Sequence, residues 1–257
     1  SFTGSTEVGL SVAERLARRA APAQAEMGGQ NPAIVLADAD LEAAADAIVS
    51  GAMSFAGQKC TATRRVIVLE EVAETMDRLL AERIEALVVG DPARDGVTVG
   101  PLISPVAVEE FEQATSAALE VGGEVVARAG SGESGYFVSP VLIRQDDPMA
   151  TVNQEETFGP LLTVMTVPDA AAAIEAANST RFGLVGAVHG RDLGKAVEVA
   201  SKVRCGLRRI NAPTPGVDYY APFGGEGMSS FGPREQGRAA REFFTSTTTM
   251  TVVPATS

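Results

Sequence analysis

One histidine, two cysteines and no tryptophan occur in 257 residues, and each scarcity removes a class of chemistry. A lone His189 leaves no spare imidazole for the usual Ser-His or Cys-His dyads, so acid–base work falls to carboxylates, lysines or water. Cys60 and Cys205 are too few for a disulfide framework and lack the spacing and His partners of a zinc site, so no metal centre is expected. Basic residues are also short: 21 Lys and Arg face 33 Asp and Glu, a net charge of −12 that argues against nucleic acid as a partner. No apolar run approaches the roughly 18 residues of a membrane helix, and the N-terminus lacks the order of a signal peptide. The expectation is a cytoplasmic protein with no membrane partner. Initiator methionine is missing too, and the opening at Ser1 reads as a piece cut from something longer.

What is present is ordinary for a globular chain: 45% hydrophobic and 21% charged residues, and a length between one and two domains at about 150 residues each. Ser1 to Thr6 reads as a strand end turning into a helix, whose apolar face is set by Val8, Val12 and Leu16. Pro32 to Ala37 is a continuous apolar run, the pattern of a strand buried on both faces of a parallel sheet. Asp40 caps a helix carrying Leu41, Ala45, Ile48, Ala52 and Phe55 on one face, with Gly57 placed to end it. Strands then follow at 65–69, 124–127, 137–142, 161–167, 184–188 and 206–210. Helices lie at 72–87, 105–121, 170–177 and 192–203, the last capped by Asp192. Such alternation predicts an α/β fold with a mostly parallel sheet and flanking helices. Ala129 to Gly135 reads as a surface loop, and the uncharged tail Thr245 to Val253 as an edge strand needing a partner.

Cys60 lies just past a helix end in Gly57-Gln58-Lys59-Cys60-Thr61, and Lys59, Arg64 and Arg65 would favour a thiolate if they were near in space. The plain alternative is a small buried hydrophobe. Glu26 precedes Met27 and the paired Gly28 and Gly29, which suggests a carboxylate shown where backbone turns tightly. Glu155-Glu156-Thr157-Phe158-Gly159-Pro160 sets two carboxylates before an aromatic, or else is a solvated turn. Arg208 and Arg209 beside Asn211 are either a carboxylate-facing group or a solvated strand end.

Taken together these blocks, with Phe2-Thr3-Gly4-Ser5-Thr6 and Pro222-Phe223-Gly224-Gly225, resemble the NAD(P)-dependent aldehyde dehydrogenases in order and approximate spacing. The resemblance covers the carboxyl-terminal half of such an enzyme, with Met27 and Gln30 standing in for the commoner leucine and lysine. It implies 1–27 as the last part of a Rossmann-like dinucleotide-binding domain, 28–230 as the catalytic domain, and 231–257 as a return helix and C-terminal oligomerisation strand. It implies Cys60 as nucleophile, Glu26 as base for thioester hydrolysis, and Glu235 as a second carboxylate relaying protons. Gly4, Ser5, Gly28, Glu156 and Phe158 would contact NAD or NADP, and the partners would be a small-molecule aldehyde and further copies in a homodimer or homotetramer. The stretch from Ile210 to Gly237 is similar to bacterial α-ketoglutarate semialdehyde (2,5-dioxopentanoate) dehydrogenases. In the family, the oxyanion-hole asparagine and the adenosine-ribose contacts lie upstream of the residue matching Ser1, so the chain alone is expected to be inactive. A cysteine-dependent esterase or acyltransferase, or a non-catalytic assembly fragment, stands as the alternative.

Overall fold

The computed structural model describes residues 1–132 and 135–255. The chain begins with β1 (Phe2–Thr3), α1 (Thr6–Ala17) and β2 (Ala25–Glu26), then β3 (Asn31–Val35) and α2 (Leu41–Met53). A 3-10 turn over Ser54–Gly57 leads to β4 (Thr63–Leu69) and α3 (Glu70–Glu85). Next come α4 (Pro105–Glu120), β5 (Glu124–Arg128), β6 (Val141–Arg144), α5 (Thr151–Gln154), β7 (Leu161–Val167) and α6 (Ala170–Ala177). The last elements are β8 (Phe182–Gly183), β9 (Val185–His189), α7 (Leu193–Lys202), β10 (Leu207–Ile210), β11 (Glu226–Gly227), β12 (Ser230–Phe231) and α8 (Gly237–Phe243).

Seven strands form the main sheet in the order β10-β9-β3-β4-β7-β6-β5, all parallel except β5 at one edge. Alternation along the strands divides the core: Val66 and Val68 of β4 pack with α2, α3 and α4, while Ile67 and Leu69 face α6 and α7. Both faces are therefore covered, as continuous apolar strands require. Asp40 accepts from the Ala43 N–H and Asp192 from the Lys195 N–H, each starting its helix as expected.

A second sheet is small. β2 pairs in parallel with β1 and antiparallel with β12, joining residues 2–3, 25–26 and 230–231. β8 and β11 form a separate antiparallel pair.

Four local readings need correction. On α1 the inward residues are Gly9 and Ala13, with Val12 and Leu16 at the margin, and Val8 faces out; small residues let α1 approach Phe2 and Met27 closely. α2 stops at Met53, because Phe55, Ala56 and Gly57 all take left-handed backbone angles, so Phe55 leaves the apolar face and is 71% exposed. β6 begins at Val141 instead of 137, since Pro140 has no N–H to give the ladder; its carbonyl accepts from Ala129. Residues 245–255 hold no strand in the single chain. Of the loop expected at 129–135, positions 133 and 134 lie outside the described residues.

Candidate active site

The Cys60 loop is the link between α2 and β4, and its shape is fixed by two buried side chains. Asn31, at the start of β3, donates through Nδ2 to the carbonyls of Cys60 and Ala62, both at 2.8 Å, while its Oδ1 accepts from the Val185 N–H. Arg64 donates to the carbonyls of Gly57 at 2.6 Å and Gly159 at 2.8 Å, tying this loop to the Glu156–Phe158 segment. These contacts give the half-buried Cys60 a defined backbone.

A cavity of about 700 Å³ opens in front of it, lined by Gly4, Ser5, Gly28, Cys60, Glu156 and Phe158 together with Gln58, Lys59, Thr61 and Gln236 among others. Six of the residues singled out from sequence thus meet on one surface. Gly4 and Ser5 stand at the opening of α1, where Ser5 Oγ accepts from the Val8 N–H and the first turn carries the positive end of the helix dipole. Glu156 accepts from the Gly29 N–H at 3.1 Å and lies flat against Gly28, where a Cβ would come within 1.9 Å of Oε2. Only glycine leaves room for that carboxylate.

Glu26 does not line the cavity wall; it is buried on β2 to one side. Its Oε2 accepts from Ser230 Oγ at 2.6 Å, and its Oε1 has no hydrogen-bond partner among the described residues. Gly224, with φ of 144°, presents no side chain here, since a Cβ would sit 2.7 Å from that free oxygen. Burial raises the Glu26 carboxyl from 4.5 to about 7, opposed by the Ser230 hydrogen bond and the Arg234 charge and reinforced by Glu235. Glu235 is outside the cavity lining and accepts from Ser1 Oγ at 3.3 Å.

Cys60 is close enough to both carboxylates to feel them. Burial first, then Glu156 and Glu26, push its thiol up, against the backbone amides of Cys60 and Thr61, which favour the thiolate. Of the basic neighbours, Arg64 lies near enough for its charge to act on Cys60, yet burial and the two carboxylates leave the thiol raised. Arg64 and Arg65 are buried with their guanidinium groups turned to carbonyl oxygens, Arg65 to those of Gln30, Ala176 and Ala177. Lys59 rests its ammonium 4.0 Å above the Phe55 ring. Arg208 and Arg209 likewise bond backbone, at Val203 and Pro213, and Asn211 bonds Gly190, so none of the three reaches the cavity. His189 and Cys205 are core residues at strand ends, the imidazole lowered to about 4 and the thiol raised to about 11, mainly by burial.

Asn31, Arg64 and Ser230 were not singled out as site residues from sequence. Asn-Pro before a buried strand, and two arginines opening an apolar one, are the signals that polar side chains there must satisfy backbone.

Residues 1–250 match the model of the aldehyde dehydrogenase family. The chain is 39% identical over 99% of its length to an alpha-ketoglutaric semialdehyde dehydrogenase of Bacillus subtilis (strain 168), covering 53% of that protein. It is 38% identical over 95% of its length to a vanillin dehydrogenase of Pseudomonas fluorescens, covering 50%. Among solved structures, a Mycobacterium tuberculosis aldehyde dehydrogenase complexed with NAD+ superposes with a TM-score of 0.90 at 32% identity, over 94% of this chain and 50% of that one. The chain spans about half the length of the curated relatives it matches. By sequence and fold alike, it belongs to the aldehyde dehydrogenase family.

Proposed function

We propose that this chain supplies the thiol chemistry of an enzyme that oxidises an aldehyde to a carboxylic acid with NAD or NADP, the aldehyde being a small semialdehyde such as α-ketoglutarate semialdehyde. The observation that carries the reading is the convergence of Cys60, Glu156, Phe158, Gly4, Ser5 and Gly28 on one cavity, with Glu26 buried beside it. The semialdehyde is supported by the name of the Bacillus subtilis relative.

The cavity fits the nicotinamide end of such a cofactor: Glu156 offers a carboxylate to ribose hydroxyls, Phe158 a ring edge, and Gly4, Ser5 and Gly28 a wall with little side chain. When bound, the cofactor supplies the acceptor for hydride. Cys60 gives its proton to solvent through the open cavity, its sulfur bonds to the aldehyde carbon as the carbonyl π pair moves onto oxygen, and the backbone amides of Cys60 and Thr61 lie at the forming centre. The oxidised adduct is a thioester. Glu26 takes a proton from water, the water oxygen bonds to the thioester carbon, and the carbon–sulfur bond breaks to return Cys60 as thiolate and release the acid. A carboxyl titrating near 7 suits this exchange at neutral pH. Glu235 passes the proton onward. We further assign residues 1–27 to a cofactor domain, 28–230 to the catalytic domain and 231–257 to a return helix and an intersubunit strand of a homodimer or homotetramer in the cytoplasm.

The test uses p-nitrophenyl acetate, which needs no cofactor, followed by an aldehyde with NAD. Cys60→Ala is expected to remove the burst of p-nitrophenolate altogether. Glu26→Gln is expected to keep the burst and slow the steady state at least about 100-fold. Reduced nicotinamide formed from a semialdehyde separates a dehydrogenase from an esterase. An intact burst in Cys60→Ala would refute the assignment.

A further inference from the structure

Ser230 stands 204 residues from Glu26 in the chain yet holds it at 2.6 Å. Its hydroxyl is committed on both sides: Oγ accepts from the Gly225 N–H at 2.6 Å, so its single proton points at Glu26 Oε2. Gly225 is itself held, its carbonyl accepting from Arg234. The other oxygen, Oε1, is buried, has no hydrogen-bond partner among the described residues and faces the bare backbone of Gly224. The two oxygens of one carboxylate are thus unequal. Oε2 already accepts from a hydroxyl whose oxygen is held in place by the Gly225 N–H, whereas Oε1 has a free lone pair to take a proton.

We propose that Ser230 is a positioning residue that pins the Glu26 carboxylate through Oε2 and so makes Oε1 the oxygen that takes the proton from the hydrolytic water. This rests on Glu26 being the base, as proposed above. The charged and titratable groups that act on Glu26 are Glu235 and Arg234, from the segment after β12, and its own charge reaches Cys60 from across the site. Of these, Arg234 and Ser230 favour the ionised carboxylate and Glu235 opposes it. Removing the hydroxyl leaves the burial penalty and Glu235 less opposed, so Glu26 holds its proton to higher pH.

The experiment follows the Glu26 carboxyl directly by infrared difference titration of the purified chain, with Glu26→Gln subtracted to isolate its band. Ser230→Ala is expected to move the midpoint upward by about one pH unit. Ser230→Thr, which keeps a hydroxyl, is expected to return it to within a few tenths of a unit of wild type, and Ser230→Gly to repeat the alanine result. The pH midpoint of steady-state p-nitrophenyl acetate turnover is expected to move with the carboxyl, while the burst, which reports Cys60, keeps its amplitude. An unshifted carboxyl in both Ser230→Ala and Ser230→Gly, or a threonine variant displaced as far as alanine, would overturn the role of Ser230. If Glu26→Gln keeps the wild-type steady state, the assignment of Glu26 as base fails instead, and the titration still decides whether Ser230 holds the carboxylate.

Discussion

The seven-stranded sheet and the three-stranded sheet divide the site between them, and they are built on opposite terms. β3, β4 and β7 are five to seven residues long, and all but one of their residues are buried between two helical layers. β1, β2 and β12 are two residues each, too short to stand alone, and only β2 is wholly buried. The large sheet positions Cys60 through Asn31 and Arg64; the small one carries Glu26 and the serine that pins it. The proposed nucleophile thus sits on the part of the molecule with the most redundant packing, and the proposed base on the part with the least.

Arg65 offers the hardest blow to the large sheet. Its guanidinium is fully buried and serves the carbonyls of Gln30, Ala176 and Ala177 with no acidic partner among the described residues, so Arg65→Ala strands three acceptors and opens a cavity. The expected loss is about 3–5 kcal/mol, read from urea unfolding. Ser230→Ala, the matching deletion in the small sheet, is expected to lower the urea midpoint far less. Equal losses would erase the contrast.

Hydrogen exchange sharpens it. Gly4 N–H bonds the Glu26 carbonyl and Met27 N–H the Ser229 carbonyl, both within a layer only three short strands wide. These amides are expected to exchange about 100-fold faster than those of β4 and β7, by local opening. Protection equal to that of the central strands would mean the small sheet opens only with the whole molecule.

Acid and base act on the two sheets with opposite signs. His189, at the end of β9, is lowered from 6.5 to about 4 by burial, so the unfolded chain binds the extra proton and stability falls as pH drops from 6.5 toward 4. Glu26 is raised from 4.5 to about 7, so the folded chain binds the extra proton and stability falls as pH rises from 4.5 toward 7. The two windows overlap between pH 4.5 and 6.5, where the slopes oppose each other. Relative to wild type, the melting temperature of His189→Gln is therefore expected to fall more with rising pH across this range, and that of Glu26→Gln to rise more; either variant tilting the other way would contradict the assigned burial.

How much of this could be read without coordinates depended on how local the cause was. β7 and α6 match their expected bounds, because Leu161–Val167 and Asp169 with its alanine-rich run are decided within a few residues. Cys60, Glu156, Phe158, Gly4, Ser5 and Gly28 were legible as a site only through the resemblance of their blocks to one family, since each block alone has a plain structural reading; all six line one cavity. Misreadings came where a distant partner decides: Val8 loses the inner face of α1 to Gly9 and Ala13 because Met27 and Phe2 press there. Arg65 looks like a neighbour of the thiol until the carbonyls that claim it, up to 112 residues away, are known. No pattern within the Ser229-Ser230 pair points back to residue 26.

Closing the small sheet also orders events in time. The hydrogen-bond donor of Glu26 is made 204 residues after it, on the order of 10–40 s later at roughly 5–20 residues per second. Within that interval the partners that fix the Cys60 loop, Gly159 and Val185, are made first, and the Ser230 donor to Glu26 comes last. On the proposed roles, a thiol is thus in place before its hydrolytic carboxylate is held, and completion of β12 is the step that joins the two.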